Sequence, residues 1–247
     1  MKLGWLLTVA AVVAGAAAAQ AAAPPPRSLA EKCVQTSGVD AQPFWLTASD
    51  GTRLYAFEAG SGPTTVVLMH QYPADLCGWL PYAETLVRAG VRVLAFDFRN
   101  YGDSGRPPGK RATAFGNDVR AAVSRARADG ATHVFLAGAS FGGVAALTFG
   151  AGLPLAGVIS MSGETAIGAM NALKGVTRLR VPLLLLGSRA DGYPTAADSR
   201  ALFRRARSKD KRLVLYRGGF HGWSIVETAP YAARARALVL AWTRARV

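Results

Sequence analysis

The sequence predicts one α/β domain, built on a mainly parallel central sheet with helices on both faces. Three observations predict it. Six short apolar runs, at 65–70, 91–96, 133–137, 155–161, 183–186 and 213–216, have the length of strands, and most are continuously apolar, as strands buried on both faces are. Longer helical patterns separate them. A hairpin signal precedes them, and a hairpin followed by β-α-β-α alternation leads to a mainly parallel sheet.

The first segment, residues 1–21, reads as an address. Lys2 gives a positive start, Leu3 to Ala19 is apolar and small, and Ala19-Gln20-Ala21 fits the small-x-small pattern of signal cleavage. The expectation is a cleaved signal peptide and a secreted or periplasmic product with no stable membrane anchor. An uncleaved anchor is the alternative, because about 20 apolar residues can span a bilayer. Residues 22–42, opening near Pro24-Pro25-Pro26, are expected to form an irregular arm. The folded domain is assigned to 43–247. It begins with Phe44 to Thr47 and Leu54 to Phe57, joined across an Asp50-Gly51 turn signal. In 113–129, Phe115, Val119, Ala122 and Ala126 share one helix face, and near the end Tyr231, Ala235, Leu238, Val239 and Trp242 share another. The roughly 20 residues after Met161 are too few for a separate lid domain and are expected to form one short helix and loops.

One local pattern carries chemistry. Gly138-Ala139-Ser140-Phe141-Gly142-Gly143 follows the run at 133–137 and precedes the apolar stretch 144–149. Ser140 therefore sits at a strand-to-helix turn, where glycines permit a tight backbone and a helix N-terminus favours developing negative charge. A serine hydroxyl needs a base to become a nucleophile. The chain has three histidines. His133 opens the strand leading to Ser140, roughly 20 Å away at about 3.3 Å per residue, and cannot reach. His70 ends an earlier strand, where another role fits it better. His221, in the glycine-rich loop Gly218 to Trp223, remains as the base. Asp191, after the run at 183–186, is the acid expected to hold its tautomer, with Glu164 as the fallback. Ser, Asp and His then follow one another in the order expected of this fold.

With these residues the chain resembles the α/β-hydrolase family over nearly all its mature length. His70-Gln71-Tyr72-Pro73 with Trp79 resembles the family's H-G-x-P…W loop, and Asp97 to Ser104 resembles its D-x-R-G-x-G-x-S segment. The resemblance implies an α/β-hydrolase fold and an oxyanion hole from the N–H groups of Tyr72 and Phe141. Gln71 and Asn100 stand where the family usually has glycine, and the first of these leaves Gln71 open as the alternative donor. Asp97 and Arg99 are read as structural. Serine at the elbow departs from epoxide hydrolases and haloalkane dehalogenases, which use aspartate there. The lack of a lid is similar to the smaller dienelactone-hydrolase-like members.

Composition narrows the function classes. A chain with 51% hydrophobic and 18% charged residues is globular. Its formal net charge of +14 invites a nucleic-acid reading, but the arginines are scattered over several helices and no nucleic-acid motif appears. The expected partner is a small-molecule acyl substrate, not a nucleic acid, and no metal or organic cofactor is implied. Cys33 and Cys77 permit one bridge in an oxidising compartment, the alternative being two buried thiols. Tyr72, Trp79, Phe141, Tyr193 and Trp223 are candidates for an aromatic rim. The expected activity is cleavage of carboxylic esters through an acyl-enzyme on Ser140. Peptide or thioester cleavage, acyl transfer, or ligand binding without catalysis on the same fold are the alternatives.

Overall fold

The computed structural model describes residues 24–34, 38–194 and 196–247. The expected signal segment lies outside them. Among the described residues no helix is long and apolar enough to cross a membrane.

The arm is not wholly irregular: it contains α1 (Leu29–Lys32), started by a capping box in which Ser28 and Glu31 satisfy each other's backbone N–H groups. β1 (Ala41–Thr47) and β2 (Arg53–Ala59) form the expected antiparallel hairpin. Six strands follow, one for each apolar run: β3 (Thr64–Met69), β4 (Arg92–Phe96), β5 (His133–Ala139), β6 (Gly157–Met161), β9 (Leu183–Ser188) and β10 (Lys211–Tyr216). The sheet order is β1-β2-β4-β3-β5-β6-β9-β10. The last six strands of that order run parallel, while β2 is antiparallel to both its neighbours. Pro43 lies on the edge strand β1, where a missing N–H costs no ladder bond, and Lys211 and Arg212 charge the opposite edge.

Helices cover both faces. α3 (Phe115–Ala128), α4 (Phe141–Phe149), α5 (Ala172–Val176) and α6 (Ala196–Arg205) pack on one side through residues such as Val119, Val144, Val176 and Leu202. α2 (Leu80–Arg88), α7 (Ser224–Glu227) and α8 (Ala232–Arg244) pack on the other through Leu86, Val226 and Trp242. Between β6 and α5 the expected loops include a small hairpin, β7 (Ala166–Ile167) with β8 (Met170–Asn171).

Two buried cations organise the loops beyond the sheet. Arg99, fully buried, meets Asp118 and Asp50, each at 2.6 Å, and donates to the Arg111 carbonyl. Lys32 from the arm, its side chain only 1% exposed, meets Asp97 at 3.0 Å and Asp75 at 3.1 Å. Next to Lys32, Cys33 is bridged to Cys77 with their Cα atoms 5.4 Å apart. The arm is thus fastened to the segment after β3 by a covalent bond and an ion pair.

A bridge closing a loop of 44 residues restricts the unfolded chain by about 4 kcal/mol in the chain-entropy model. The Cys33→Ser/Cys77→Ser protein is expected to lose about 2–4 kcal/mol in urea unfolding with its fold retained; a loss under about 0.5 kcal/mol would show that the bridge constrains nothing.

Candidate active site

His70, Ser140, Glu164, Asp191 and His221 each follow a parallel strand and lie on the edge where those strands end, whereas His133 opens β5 at the other edge. β5 stops at Ala139 and α4 begins at Phe141, leaving Ser140 alone in the turn with φ +48° and ψ −112°. An L-residue rarely adopts that backbone, and such strain persists only where neighbours enforce it. The neighbours are close. The Gly142 N–H donates to the His70 carbonyl at 3.1 Å, and the Ser140 N–H to the Met161 carbonyl at 2.7 Å. A Cβ on Gly142 would lie 2.2 Å from the Met69 carbonyl oxygen, and one on Gly138 2.1 Å from that of Gly142. Glycine is required at both places by lack of room.

Asp191 lies in the loop after β9 and His221 in the loop after β10. His221 Nδ1 is 3.0 Å from Asp191 Oδ2 and 3.2 Å from Oδ1. Asp191, 8% exposed, also accepts from the Ser162 hydroxyl at 2.9 Å and faces the Tyr193 N–H. An ionised carboxylate only accepts, so Nδ1 carries the proton and Nε2 keeps its lone pair. The His221 loop is anchored on three sides. Ser188 Oγ donates to the Phe220 carbonyl, the Gly222 N–H donates to Ser162 Oγ at 3.0 Å, and the Trp223 N–H donates to Gln71 Oε1 at 3.2 Å. Ser162, with φ +52°, was not singled out from the sequence; its position directly after β6, on the edge that carries the other groups, is the signal that could have found it. Glu164, the fallback acid, does not pair with His221. Its carboxylate is hydrogen-bonded by the Tyr193 hydroxyl, and burial raises it above the ordinary glutamate range.

His70 holds the loop after β3. The Phe98 N–H donates to its Nε2 at 3.0 Å, so Nδ1 must carry the proton that meets the Gln71 carbonyl at 3.0 Å. Full burial pushes the ring down to about 4, keeping it neutral. The peptide between Gln71 and Tyr72 is trans, so its N–H points opposite to its carbonyl. The Tyr72 N–H is therefore turned away from buried His70. Gln71 spends its side chain on the His221 loop instead.

Ser140, His221, Phe141, Tyr72, Tyr101, Glu164 and Tyr193 line one cavity of about 630 Å³, closed on a further side by Ala166 to Gly168 of the small hairpin. Of the expected rim aromatics, Tyr72, Phe141 and Tyr193 are there. Trp79 is fully buried and packs on Trp223, ring centroids 5.6 Å apart, and neither lines the cavity. Tyr101 takes their place, from the loop that starts at Asp97. A hollow of about 720 Å³ over Asn171, Lys174, Arg204 and Arg205 shares no residue with this cavity and brings together no nucleophile and base. Among the described residues no cluster of three or more His, Cys, Asp or Glu side chains could hold a metal ion.

Comparison with known proteins gives a consistent fold. Residues 66–247 match the model of the alpha/beta hydrolase family. The esterase Pf2001 of Pyrococcus furiosus superposes with a TM-score of 0.77 at 15% identity, over 91% of this chain and 96% of its own. A monoacylglycerol lipase of Paleococcus ferrophilus superposes with 0.68 at 19% identity, over 78% and 99%. By sequence, the bifunctional epoxide hydrolase 2 of Rattus norvegicus is 40% identical over 75 residues, which is 30% of this chain and 13% of the relative. Epoxide hydrolase A of Mycobacterium tuberculosis is 41% identical over 63 residues, 25% of this chain and 20% of the relative. The matched stretches are thus short segments of those relatives.

The depressed His70 has a measurable consequence. Its folded value of about 4 lies below the unfolded value near 6.5. The stability this neutral ring contributes is whole above pH ~6.5 and is lost as pH falls through that window, because only the unfolded chain takes up the proton. Between pH 7 and 4.5 the protein is expected to lose about 2 kcal/mol more than its His70→Asn variant in urea unfolding. Parallel curves for the two would mean that His70 titrates normally.

Proposed function

This chain belongs to the α/β-hydrolase family, and from that premise we propose that it is a serine hydrolase that cleaves carboxylic esters through an acyl-enzyme on Ser140. The observation that carries this reading is the His221–Asp191 pair opening onto the cavity that Ser140 lines. Ser140 Oγ attacks the ester carbonyl while its proton passes to His221 Nε2. Asp191, supported by Ser162, stabilises the imidazolium. The oxyanion is held by two N–H groups. One belongs to Phe141, first residue of α4, where helix geometry offers no internal acceptor. The other is assigned to Tyr72 over Gln71, because His70 orients that peptide. Collapse expels the alcohol with the Nε2 proton. Water, deprotonated by the same nitrogen, then attacks the acyl-enzyme and releases the acid and Ser140.

The epoxide hydrolases matched by sequence suggest a second reading, which the elbow disfavours. A carboxylate that opens an epoxide forms an ester, which water can cleave. Ser140 would form an ether, which the same groups cannot hydrolyse. Thioester or peptide cleavage and acyl transfer use the same three residues and differ only in leaving group or acceptor. The disulfide supports export from the cytosol, in keeping with the expected signal.

Mature protein treated with a fluorophosphonate is expected to carry one adduct on Ser140, absent in Ser140→Ala and slowed at least a hundredfold in His221→Ala. Failure to label folded, oxidised protein would sink the mechanism. Multiple turnover of a styrene-oxide-type epoxide would favour the second reading. Ser162→Ala removes a hydrogen bond to a charged acceptor, so kcat on a p-nitrophenyl ester is expected to fall roughly 10–100-fold with KM little changed. An unaltered kcat would remove Ser162 from the site.

A further inference from the structure

The cavity has a chemical character that the serine mechanism does not use. The chain carries 29 lysines and arginines, yet neither type lines this cavity. One carboxylate does, Glu164, on a residue only 7% exposed. The charged and titratable groups acting on it are the Tyr193 hydroxyl, the Asp191 and Asp198 carboxylates and the His221 ring, so its surroundings are acidic except where His221 is protonated. Much of the remaining wall is aromatic. Tyr72 and Tyr101 meet edge to face with centroids 6.2 Å apart, and Tyr101 meets Phe141 at 5.5 Å, forming one continuous corner. Tyr72 and Tyr193 are two of the four exposed large hydrophobic residues among those described, 64% and 71% exposed, and both stand at this cavity. Large rings held out in water at a concave site mark a surface that expects a ligand.

Ring faces and a carboxylate are the two groups that attract an alkylammonium ion: the first through the negative face of the π system, the second through charge. A carboxylate ester with an anionic tail would meet Glu164 as a like charge. A neutral tail would leave it with only its tyrosine partner. We propose that Glu164 and the tyrosines around it select esters that carry a cationic, alkylammonium-type group. This rests on the ester reading above for the reaction, but not for the binding site.

The test separates the two. Ser140→Ala protein is titrated by calorimetry at pH 8, to favour the ionised carboxylate, with choline and with its neutral isostere 3,3-dimethylbutan-1-ol. Choline is expected to bind about tenfold tighter, the size of one ion pair or cation–π contact, and the ratio to fall to near one in Ser140→Ala/Glu164→Gln. With the unaltered enzyme the acetate esters of the same two alcohols are expected to differ about tenfold in kcat/KM, and this ratio too is expected to collapse in Glu164→Gln. Should the glutamine variant fail to fold, the choline preference of Ser140→Ala alone is followed from low to high salt, where it is expected to shrink. Equal binding of the two probes, or a preference that survives both Glu164→Gln and salt, overturns the proposal. If choline is preferred but neither ester is cleaved, the site stands and the ester reading falls. If both esters are cleaved at equal rates and the two probes bind equally, the ester reading stands and the site falls.

Discussion

The backbone of Gly142 lies against the carbonyls of Met69 and His70, and the rest of the site depends on that close approach. It presses the first turn of α4 onto the end of β3. It forces Ser140 into a left-handed turn between the strand that delivers it and the helix it opens. It also sets the loop after β3 beside the helix N-terminus, joining two segments distant in sequence. A side chain at position 142 would separate the two segments, and both Ser140 and the facing loop would lose their positions together.

Around that contact, polar pairs lock the loops in place. His70 bonds Phe98 through one nitrogen and Gln71 through the other. Ser162 joins Asp191 to the His221 loop, and Gln71 joins the same loop to the segment after β3. Below them, Arg99 and Lys32 are buried cations. Arg99 has two acidic partners and Lys32 three, as a desolvated charge requires, and removal of the carboxylates around either would leave a costly unpaired charge. The arm is included in this arrangement, since Lys32 and Cys33 both come from it.

The sheet was legible because its strands are buried on both faces and read as continuous apolar runs. The placement of Ser140, Asp191 and His221 on one edge of the sheet was legible because each follows such a run. The small hairpin was not, because two-residue strands carry no period to detect. Ser162 and Tyr101 were missed because a serine or a tyrosine in a loop says nothing about direction, and direction decides the role. The same limit misplaced Trp79 and Trp223: their type suited a rim, but their rings point into the layer beneath it. Gln71 and Asn100, departures from the family's glycines, have separate explanations. Asn100 adopts φ +70°, which asparagine tolerates better than most residues, and Gln71 uses its amide to hold the neighbouring loop.

The hairpin of β7 and β8 pairs only with itself, outside the main sheet. Its strand β7 and the turn at Gly168 face the cavity, while the tip residues Gly168 and Ala169 are exposed. A change of length there would therefore alter the volume above Ser140 without disturbing the ladder that orders the strands, and lengthening a surface loop carries only a slowly rising entropic cost. The fold separates the part that makes the chemistry possible from the part that decides how large a molecule can reach it, and the second can be rebuilt by insertion at a single turn.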